Sequence, residues 1–182
     1  MKRACIFLAD GFEEVEALTP ADYLRRAGIE VTLASIGGKT VKGSHGITVI
    51  ADAGPEALDA DYDAVICPGG MPGARYLAES EKVRACILRH QAKGKVVAAI
   101  CASPAYVLDG SCHLLKGRNF TGYPGTESMV QGGHYKKDPV VIDGTIITSA
   151  GPGTAGAFAI ALIEALLGEA KAEEVRQHTL LR

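Results

Sequence analysis

Residues 95–109, KVVAAICASPAYVLD, place a strand pattern directly before a helix pattern. The run 95–100 is apolar on both faces, which is typical of a strand in a parallel sheet covered by helices on both sides. Residues 104–109 continue as a short helix that begins at a proline. Cys101 stands at the junction between the two elements. The stretch therefore predicts an α/β fold and marks the end of one of its strands.

The same alternation extends along the whole chain. Further buried strands are predicted at 3–9, 30–36, 64–67 and 145–149, and further helices at 12–27, 80–92 and 154–167. Residues 39–52 and 134–149 are β-rich with Gly or Asp-Gly punctuation, so they are predicted to be hairpins inserted into the parallel scheme. We expect a single domain, residues 1–182, with a doubly wound, mostly parallel sheet and helices on both faces. A charged amphipathic helix is predicted after Gly168.

The composition argues against several classes of protein. Because 19 Lys and Arg stand against 21 Asp and Glu, no basic surface indicates nucleic acid or an acidic membrane as a partner. The first apolar stretch is too short for a signal peptide or a bilayer span. The five cysteines are odd in number and form no C-x-x-C pair, which argues against a disulfide framework and a structural zinc site. We therefore expect a cytoplasmic protein with reduced thiols and no bound metal.

Four loops are expected at one end of the sheet. They follow predicted strands at residues 10–13, 68–73, 101–103 and 151–154. In an open α/β sheet, ligands bind in a crevice outside the carboxyl ends of the strands. These four loops are the first place to look for a functional site.

Cys101 has the most reactive position among the cysteines. Ser103 as N-cap and Pro104 as first helical residue would place the sulfur at the positive end of a helix, which favours the thiolate. A sharp strand-to-helix turn of this kind also resembles the nucleophile elbow of hydrolases. The alternative is a small apolar core residue, as free cysteines often are. Cys67 ends another strand near the crevice and is a rival candidate.

The segment Pro68-Gly69-Gly70 offers backbone amides that a ligand can approach closely, because glycine has no side chain. Together with the amide of Ala102, the amide of Gly70 would form an oxyanion hole beside the sulfur. The alternative is an ordinary strand-to-helix turn.

The other acidic residues near the start of the first helix are expected to have structural roles or to face solvent. Asp10 and Glu13 have the spacing of a capping box, and Glu14 is expected to be a solvated side chain.

Glu16 lies four residues before Pro20, which cannot donate a hydrogen bond to the Glu16 carbonyl. The helix is therefore expected to kink or restart there, with Thr19 as the new cap. A carboxyl group near such a break is either partly buried, with a raised pKa, or an ordinary surface residue. The residues by themselves favour the surface position.

Four motifs carry a likeness to a known family. They are DGFEEVEALTPADYLRRAGIEV (10–31), CPGGMPGARYL (67–77), AAICASPAYVL (98–108) and TSAGPGTAGAFAIALIEALLG (148–168). Together and in this order they resemble the DJ-one (ThiJ/PfpI) superfamily, especially its branch of parkinsonism-associated protein deglycases. The resemblance implies a flavodoxin-like fold, a homodimer and no cofactor.

The resemblance also implies roles for the residues that match these motifs. Cys101 corresponds to the elbow cysteine, and Glu16 to a glutamate that donates a hydrogen bond to it in protonated form. Gly70 and Ala102 correspond to the oxyanion amides. The substrate pocket is then expected to include five further residues: Gly69, Tyr123, Pro124, His45 and Ala150.

The chain departs from the family pattern at two places. Many relatives have a His-Pro pair where this chain has Tyr123-Pro124, and an arginine where it has Ala150. His45 stands near the place where close relatives often carry arginine. None of the five histidines follows a strand next to Cys101, so a Cys-His peptidase or amidase arrangement is the weakest functional expectation.

Two functions from different classes follow from these expectations. The first is a glyoxalase or deglycase acting on methylglyoxal, glyoxal or their early adducts, with Cys101 as nucleophile and Glu16 as proton shuttle. The second is a redox-responsive stress protein or chaperone in which Cys101 is oxidised to a sulfinate.

Overall fold

The computed structural model describes residues 1–181. Its strands are β1 (Arg3–Leu8), β2 (Glu30–Ser35), β3 (Thr40–Lys42), β4 (Thr48–Ile50), β5 (Ala64–Cys67), β6 (Val96–Ile100), β7 (Asn119–Phe120), β8 (His134–Tyr135), β9 (Val140–Asp143) and β10 (Ile146–Ser149). Its α-helices are α1 (Glu14–Arg26), α2 (Gly73–Glu79), α3 (Glu81–Ala92), α4 (Ala155–Leu167) and α5 (Glu169–His178). A π-helix spans Pro104–Ser111, and short 3-10 helices span Pro55–Asp59, Thr126–Met129 and Pro152–Thr154.

The main sheet has the strand order β2-β1-β5-β6-β10-β9. All neighbours pair in parallel except β9, which is an antiparallel edge strand beside β10. Counted in chain order, the five parallel strands therefore lie in the order 2-1-3-4-5, which is the flavodoxin-like arrangement. The predicted fold class is confirmed. The order reverses between β1 and β5, so the loops that follow these two strands open the crevice in which such folds bind ligands.

The inserted hairpins are also present. β3 pairs with β4 in an antiparallel hairpin inside residues 39–52, as predicted. The second predicted hairpin is β9–β10, in which β10 also serves as a parallel strand of the main sheet. A two-stranded parallel pair, β7 with β8, was not expected, because each strand is only two residues long.

Two apolar cores cover the two faces of the sheet. One contains residues of α1, α4 and α5, including Ala17, Leu24, Phe158 and Val175. The other contains residues of α2, α3 and the π-helix. Alternate residues of β1 belong to opposite cores, which explains why that strand is apolar on both faces.

The helix ends follow ordinary capping chemistry where the sequence signal is strong. The Ser80 side chain accepts a hydrogen bond from the backbone of Val83 at the start of α3. Gly28, at φ 84°, follows the end of α1 in the left-handed conformation that glycine adopts without strain. Helix α2 was not predicted, since its start carries no Ser, Thr, Asp or Asn cap. Among residues 1–181, we find no helix with the length and apolar character needed to cross a bilayer.

Candidate active site

Cys101 follows β6 in a strained backbone conformation. Its φ is 65°, a value that non-glycine residues rarely adopt. Its N–H donates to the Ser149 carbonyl at 2.9 Å, and its carbonyl accepts from the Tyr123 amide at 2.7 Å. Such strain costs about 1–3 kcal/mol and persists only where the surroundings fix it, most often at functional sites. The strained turn supports the comparison with a nucleophile elbow.

The helix after Cys101 starts at Pro104 with Ser103 as its N-cap residue, as predicted, but the predicted side-chain cap is missing. Ser103 already has helical angles, φ −66° and ψ −29°, and its side chain makes no cap. Its hydroxyl donates instead to the Pro68 carbonyl at 2.6 Å. The predicted N-cap position is therefore correct, but the side chain does not cap the helix, because its hydroxyl ties the loop after β6 to the loop after β5. No sequence spacing signalled this link between two distant loops.

Glu16 is fully buried, at 0% exposure, so its expected surface position is wrong. Helix α1 runs without interruption through Pro20, and the restart predicted at Thr19 does not occur. Pro20 is itself buried, and its packing offsets the missing hydrogen bond to the Glu16 carbonyl.

The Glu16 carboxyl has one partner from the backbone and one from a side chain. Its Oε2 accepts from the Gly69 N–H at 2.8 Å, and the carboxyl also interacts with the Cys101 thiol. Within residues 1–181, its buried Oε1 has no hydrogen bond of good geometry. A charged oxygen left in this way is costly, whereas a protonated one becomes a donor toward the sulfur.

Burial raises the pKa of Glu16 to about 7. The hydrogen bonds with Cys101 and Gly69 oppose this rise, and the nearby charge of Glu13 adds to it. This buried carboxyl therefore changes its protonation state near neutral pH, as an acid–base catalyst needs to do.

The pKa of the Cys101 thiol is raised to about 12, first by burial and then by the charge of Glu16 and its hydrogen bond. The sequence predicts that the helix terminus favours the thiolate and so lowers this pKa. That prediction is wrong, because burial raises the pKa by more than the backbone amides lower it. Since the Glu16 charge is one of the causes, the value describes a thiol that loses its proton beside an already ionised carboxylate. The two groups therefore titrate as a coupled pair, in which the charge of one raises the pKa of the other.

The backbone amides of Gly70 and Ala102 both donate hydrogen bonds to the Cys101 sulfur and lower its pKa. These are the two amides that the sequence assigns to an oxyanion hole, and that role toward a substrate oxygen remains a prediction. Gly70 has a φ of 83°, and a Cβ there would overlap the backbone of Glu13, so only glycine fits. When the pair carries one negative charge, that charge can lie on the sulfur or on the Glu16 carboxylate. Hydrogen bonding favours the sulfur, because it has two amide donors whereas one Glu16 oxygen has none among residues 1–181.

Gly69 packs closely against both reactive side chains, Cys101 and Glu16. A Cβ at this position would lie 2.6 Å from the Cys101 Cβ, 2.7 Å from Glu16 Oε2 and 3.0 Å from the Ile100 carbonyl. We expect Gly69→Ala to reduce turnover of any substrate of this site by about 100-fold, because displacements near 1 Å have effects of that size. Gly153→Ala is the matched control, since a Cβ there meets no atom within 4 Å. Equal rates in the two variants would show that this close approach has no functional role.

The residues expected around the pocket are only partly brought together. The ring of Tyr123 lies beside Gly151, where an added Cβ would come within 3.4 Å of it. The Tyr123 side chain is half exposed, and Pro124 is exposed next to it. The Ala150 amide donates to the Pro139 carbonyl, and its small side chain provides no charge for an anionic substrate. The Tyr123 side chain thus lies against the loop that follows β10.

His45 makes no hydrogen bond to Cys101 and contacts Glu13 and Glu14 instead. The predicted capping box is also wrong, because Glu13 is the N-cap residue of α1 and Asp10 accepts from the Lys42 amide. Glu14 is buried, at 2% exposure, and is not a solvated side chain. The β3–β4 hairpin covers these acidic residues at the start of α1. The hairpin and this helix are far apart in the sequence, so local spacing did not reveal the contact.

All five cysteines are free thiols. Burial raises the pKa of Cys5, Cys86 and Cys112 to about 12, 11 and 11, and that of Cys67 well above its ordinary value. Cys67 is completely buried in the core opposite Cys101, so it is excluded as the rival nucleophile.

Comparison with known proteins identifies relatives of this chain. Residues 2–165 match the model of the DJ-1/PfpI family. The chain is 37% identical to the Parkinson disease protein 7 homolog of Danio rerio over 100% of its own length and 98% of the relative's. It is 34% identical to the glutathione-independent glyoxalase DJR-1.2 of Caenorhabditis elegans, over 93% and 91% of the two chains. The solved structure of oxidised Toxoplasma gondii DJ-1 superposes with a TM-score of 0.95 at 36% identity, covering 99% and 98% of the chains. The chain therefore belongs to the DJ-1/PfpI family.

Proposed function

We propose that this chain is a cofactor-independent enzyme that converts small 2-oxoaldehydes such as methylglyoxal into 2-hydroxy acids. The observation that carries the proposal is the strained Cys101 in contact with the fully buried Glu16, whose pKa is near 7. A nucleophile, a neutral-range acid–base group and two amide donors are the parts that such a reaction needs.

The first step is the addition of the sulfur to the aldehyde carbon. As the S–C bond forms, the Cys101 proton is held by Glu16, and the carbonyl electron pair moves onto the aldehyde oxygen. The amides of Gly70 and Ala102 are placed to stabilise negative charge beside the sulfur. Glu16 then gives its proton to that oxygen, which completes a hemithioacetal and leaves Glu16 as a carboxylate.

In the second step Glu16 acts as a base. It removes the proton from the former aldehyde carbon to give an enediolate, and returns this proton to the neighbouring carbon. The product is a 2-hydroxyacyl thioester on Cys101, which water hydrolyses to lactate and the free thiol. The sum is methylglyoxal plus water to lactate, with no net oxidation and no cofactor.

The burial of Cys101 favours a small substrate. The residue is only 8% exposed, so a free dicarbonyl reaches the sulfur more readily than a glycated side chain of another protein does. The name of the Caenorhabditis elegans relative supports a glyoxalase that works without glutathione. Deglycation of early adducts is then a slower activity of the same site.

The experiment is a lactate assay with methylglyoxal in the absence of glutathione, followed by NMR spectroscopy. We expect lactate to accumulate over many turnovers and the rate to be unchanged by added glutathione. Lactate formation only when glutathione is supplied, or none at all, would reject the proposed activity.

A second candidate function is redox sensing through Cys101. Cys101 is the most exposed of the five cysteines, and a protonated Glu16 can donate a hydrogen bond to a sulfinate. The oxidised state of the solved Toxoplasma gondii relative supports this alternative. Peroxide would supply the oxygen atoms, with one water released for each oxygen transferred.

We expect mild peroxide to add two oxygen atoms to Cys101 before any other cysteine is modified. Peptide mass spectrometry of the treated protein checks the order of oxidation. The four other thiols, with their buried positions, serve as internal controls. Oxidation of all five at similar rates would argue against a sensor role.

The remaining expectations are weaker. Within residues 1–181, no histidine side chain forms a hydrogen bond with Cys101, so a Cys-His peptidase has no support from the geometry. The homodimer and the cytoplasmic location implied above remain predictions.

A further inference from the structure

A second group of polar side chains lies where the start of α1 meets the turn of the β3–β4 hairpin. It consists of Glu13, Glu14, Ser44 and His45. One donor atom from each of Glu13, Glu14 and His45 lies within 4.8 Å of the other two. Carboxylate oxygens and imidazole nitrogens are common ligands of divalent transition metals.

The buried Glu14 carboxylate is held with one oxygen directed into this group. Its Oε1 accepts from the backbone amides of His45 at 2.8 Å and Ile47 at 3.2 Å, which fixes the plane of the carboxylate. Its Oε2 contacts only members of the group, Ser44 Oγ and His45 Nδ1. Gly43 leaves the necessary space, because a Cβ there would overlap the Glu14 carboxyl group.

Five of the six distances among the four atoms are close to those of a tetrahedron around a metal ion, and the sixth, between the two carboxylate oxygens, is within 4.8 Å. Ser44 Oγ lies 3.1 Å from His45 Nδ1, 3.2 Å from Glu13 Oε2 and 3.4 Å from Glu14 Oε2. His45 Nδ1 lies 3.2 Å from both carboxylate oxygens. A zinc ion with ligand distances near 2.0 Å requires ligand–ligand distances of about 3.3 Å in tetrahedral geometry.

Hydrogen bonding alone does not account for these contacts. The Ser44 hydroxyl has one proton and His45 Nδ1 has at most one, whereas the carboxylates provide acceptors only. Two protons therefore serve five contacts between 3.1 and 3.4 Å. A central cation satisfies all of them, and its double positive charge balances the two carboxylates.

We propose that Glu13, Glu14 and His45 form a binding site for a divalent transition metal of the zinc type, with Ser44 Oγ or a water at the fourth position. The prediction from the sequence that the chain holds no metal considered only the number and spacing of the cysteines. It missed this site because its ligands come from a helix and a hairpin 30 residues apart, and because Glu14 was expected to face solvent.

Cobalt(II) is a suitable probe, because its visible spectrum reports both coordination number and ligand type. We expect the chelator-stripped protein to bind one Co²⁺ with the bands of a four-coordinate ion and without a thiolate charge-transfer band. Zinc should displace the cobalt. Glu13→Gln and His45→Gln should each weaken Co²⁺ binding by at least about 10-fold, since even residues that only support metal ligands have effects of this size.

His134→Gln is the matched control, because His134 is an exposed histidine of β8 outside this group, and the variant should bind Co²⁺ as the wild type does. Thermal unfolding supplies a second measurement. Zinc should raise the melting temperature of the wild type and of His134→Gln but not of Glu13→Gln or His45→Gln. Absence of binding, equal affinity in all four proteins, or a sulfur-ligand spectrum would overturn the proposal.

Discussion

Cys101→Ser is expected to reduce lactate formation from methylglyoxal to the background rate, a loss of at least about 10³-fold. A serine hydroxyl has a far higher pKa than a thiol and does not share a proton with Glu16 near neutral pH. The variant should fold normally, because the two side chains differ by one atom and the strained backbone is fixed by hydrogen bonds of the main chain. Lactate NMR and circular dichroism check the two parts of this expectation.

Cys112→Ser is the matched control for loss of a buried thiol. Cys112 is slightly more buried than Cys101 but belongs to the opposite core, so its replacement should leave turnover within about twofold of the wild type. Equal losses in the two variants would mean that the effect comes from stability. Full activity in Cys101→Ser would eliminate the covalent mechanism.

Glu16→Gln is expected to lower kcat by about 10²- to 10⁴-fold, the usual contribution of a positioned acid–base group. The amide keeps the size of the side chain and a carbonyl oxygen for the Gly69 N–H, but it cannot take a proton from the substrate carbon. Addition of the aldehyde to Cys101 should also slow, because the amide neither holds the thiol proton nor protonates the aldehyde oxygen, and any hemithioacetal that forms should not proceed to lactate. Rapid mixing followed by intact-protein mass spectrometry detects that adduct.

The exposed Glu164 of α4 provides the control for loss of a carboxylate, and Glu164→Gln should be fully active. If Glu16→Gln were to retain the wild-type kcat, the proton shuttle would have to be another group. If it formed no adduct and lost all activity, Glu16 would be needed for the addition step.

The sequence was sufficient for the fold because its strands carry strong signals. The runs in β5 and β6 are apolar on both faces, and this pattern alone requires helices on both sides of a parallel sheet. The prediction of β5 has the same bounds as the structure, and that of β6 differs by one residue. Helix α2 was missed because a start at Pro72-Gly73 carries no capping signal.

The site was less accessible to such reasoning, because its properties depend on burial. Neither the complete burial of Glu16 nor the rise in the Cys101 pKa follows from local spacing, since both depend on the packing of α1 against distant loops. The side chains of Asp10 and Ser103 do not form the predicted helix caps, for a related reason. Each side chain found a partner far along the chain, the Lys42 amide and the Pro68 carbonyl, in place of the adjacent helix end.

The pH at which Cys101 ionises tests most directly whether the sulfur and Glu16 share one proton. The thiolate absorbance of the wild type, corrected by subtracting that of Cys101→Ser, should rise well below pH 12, because the amides of Gly70 and Ala102 favour charge on the sulfur while Glu16 keeps the remaining proton. In Glu16→Gln the rise should move to higher pH, since no carboxyl remains to hold the proton. A wild-type sulfur that stays protonated until the pH approaches about 12, with the same titration in Glu16→Gln, would contradict the shared proton.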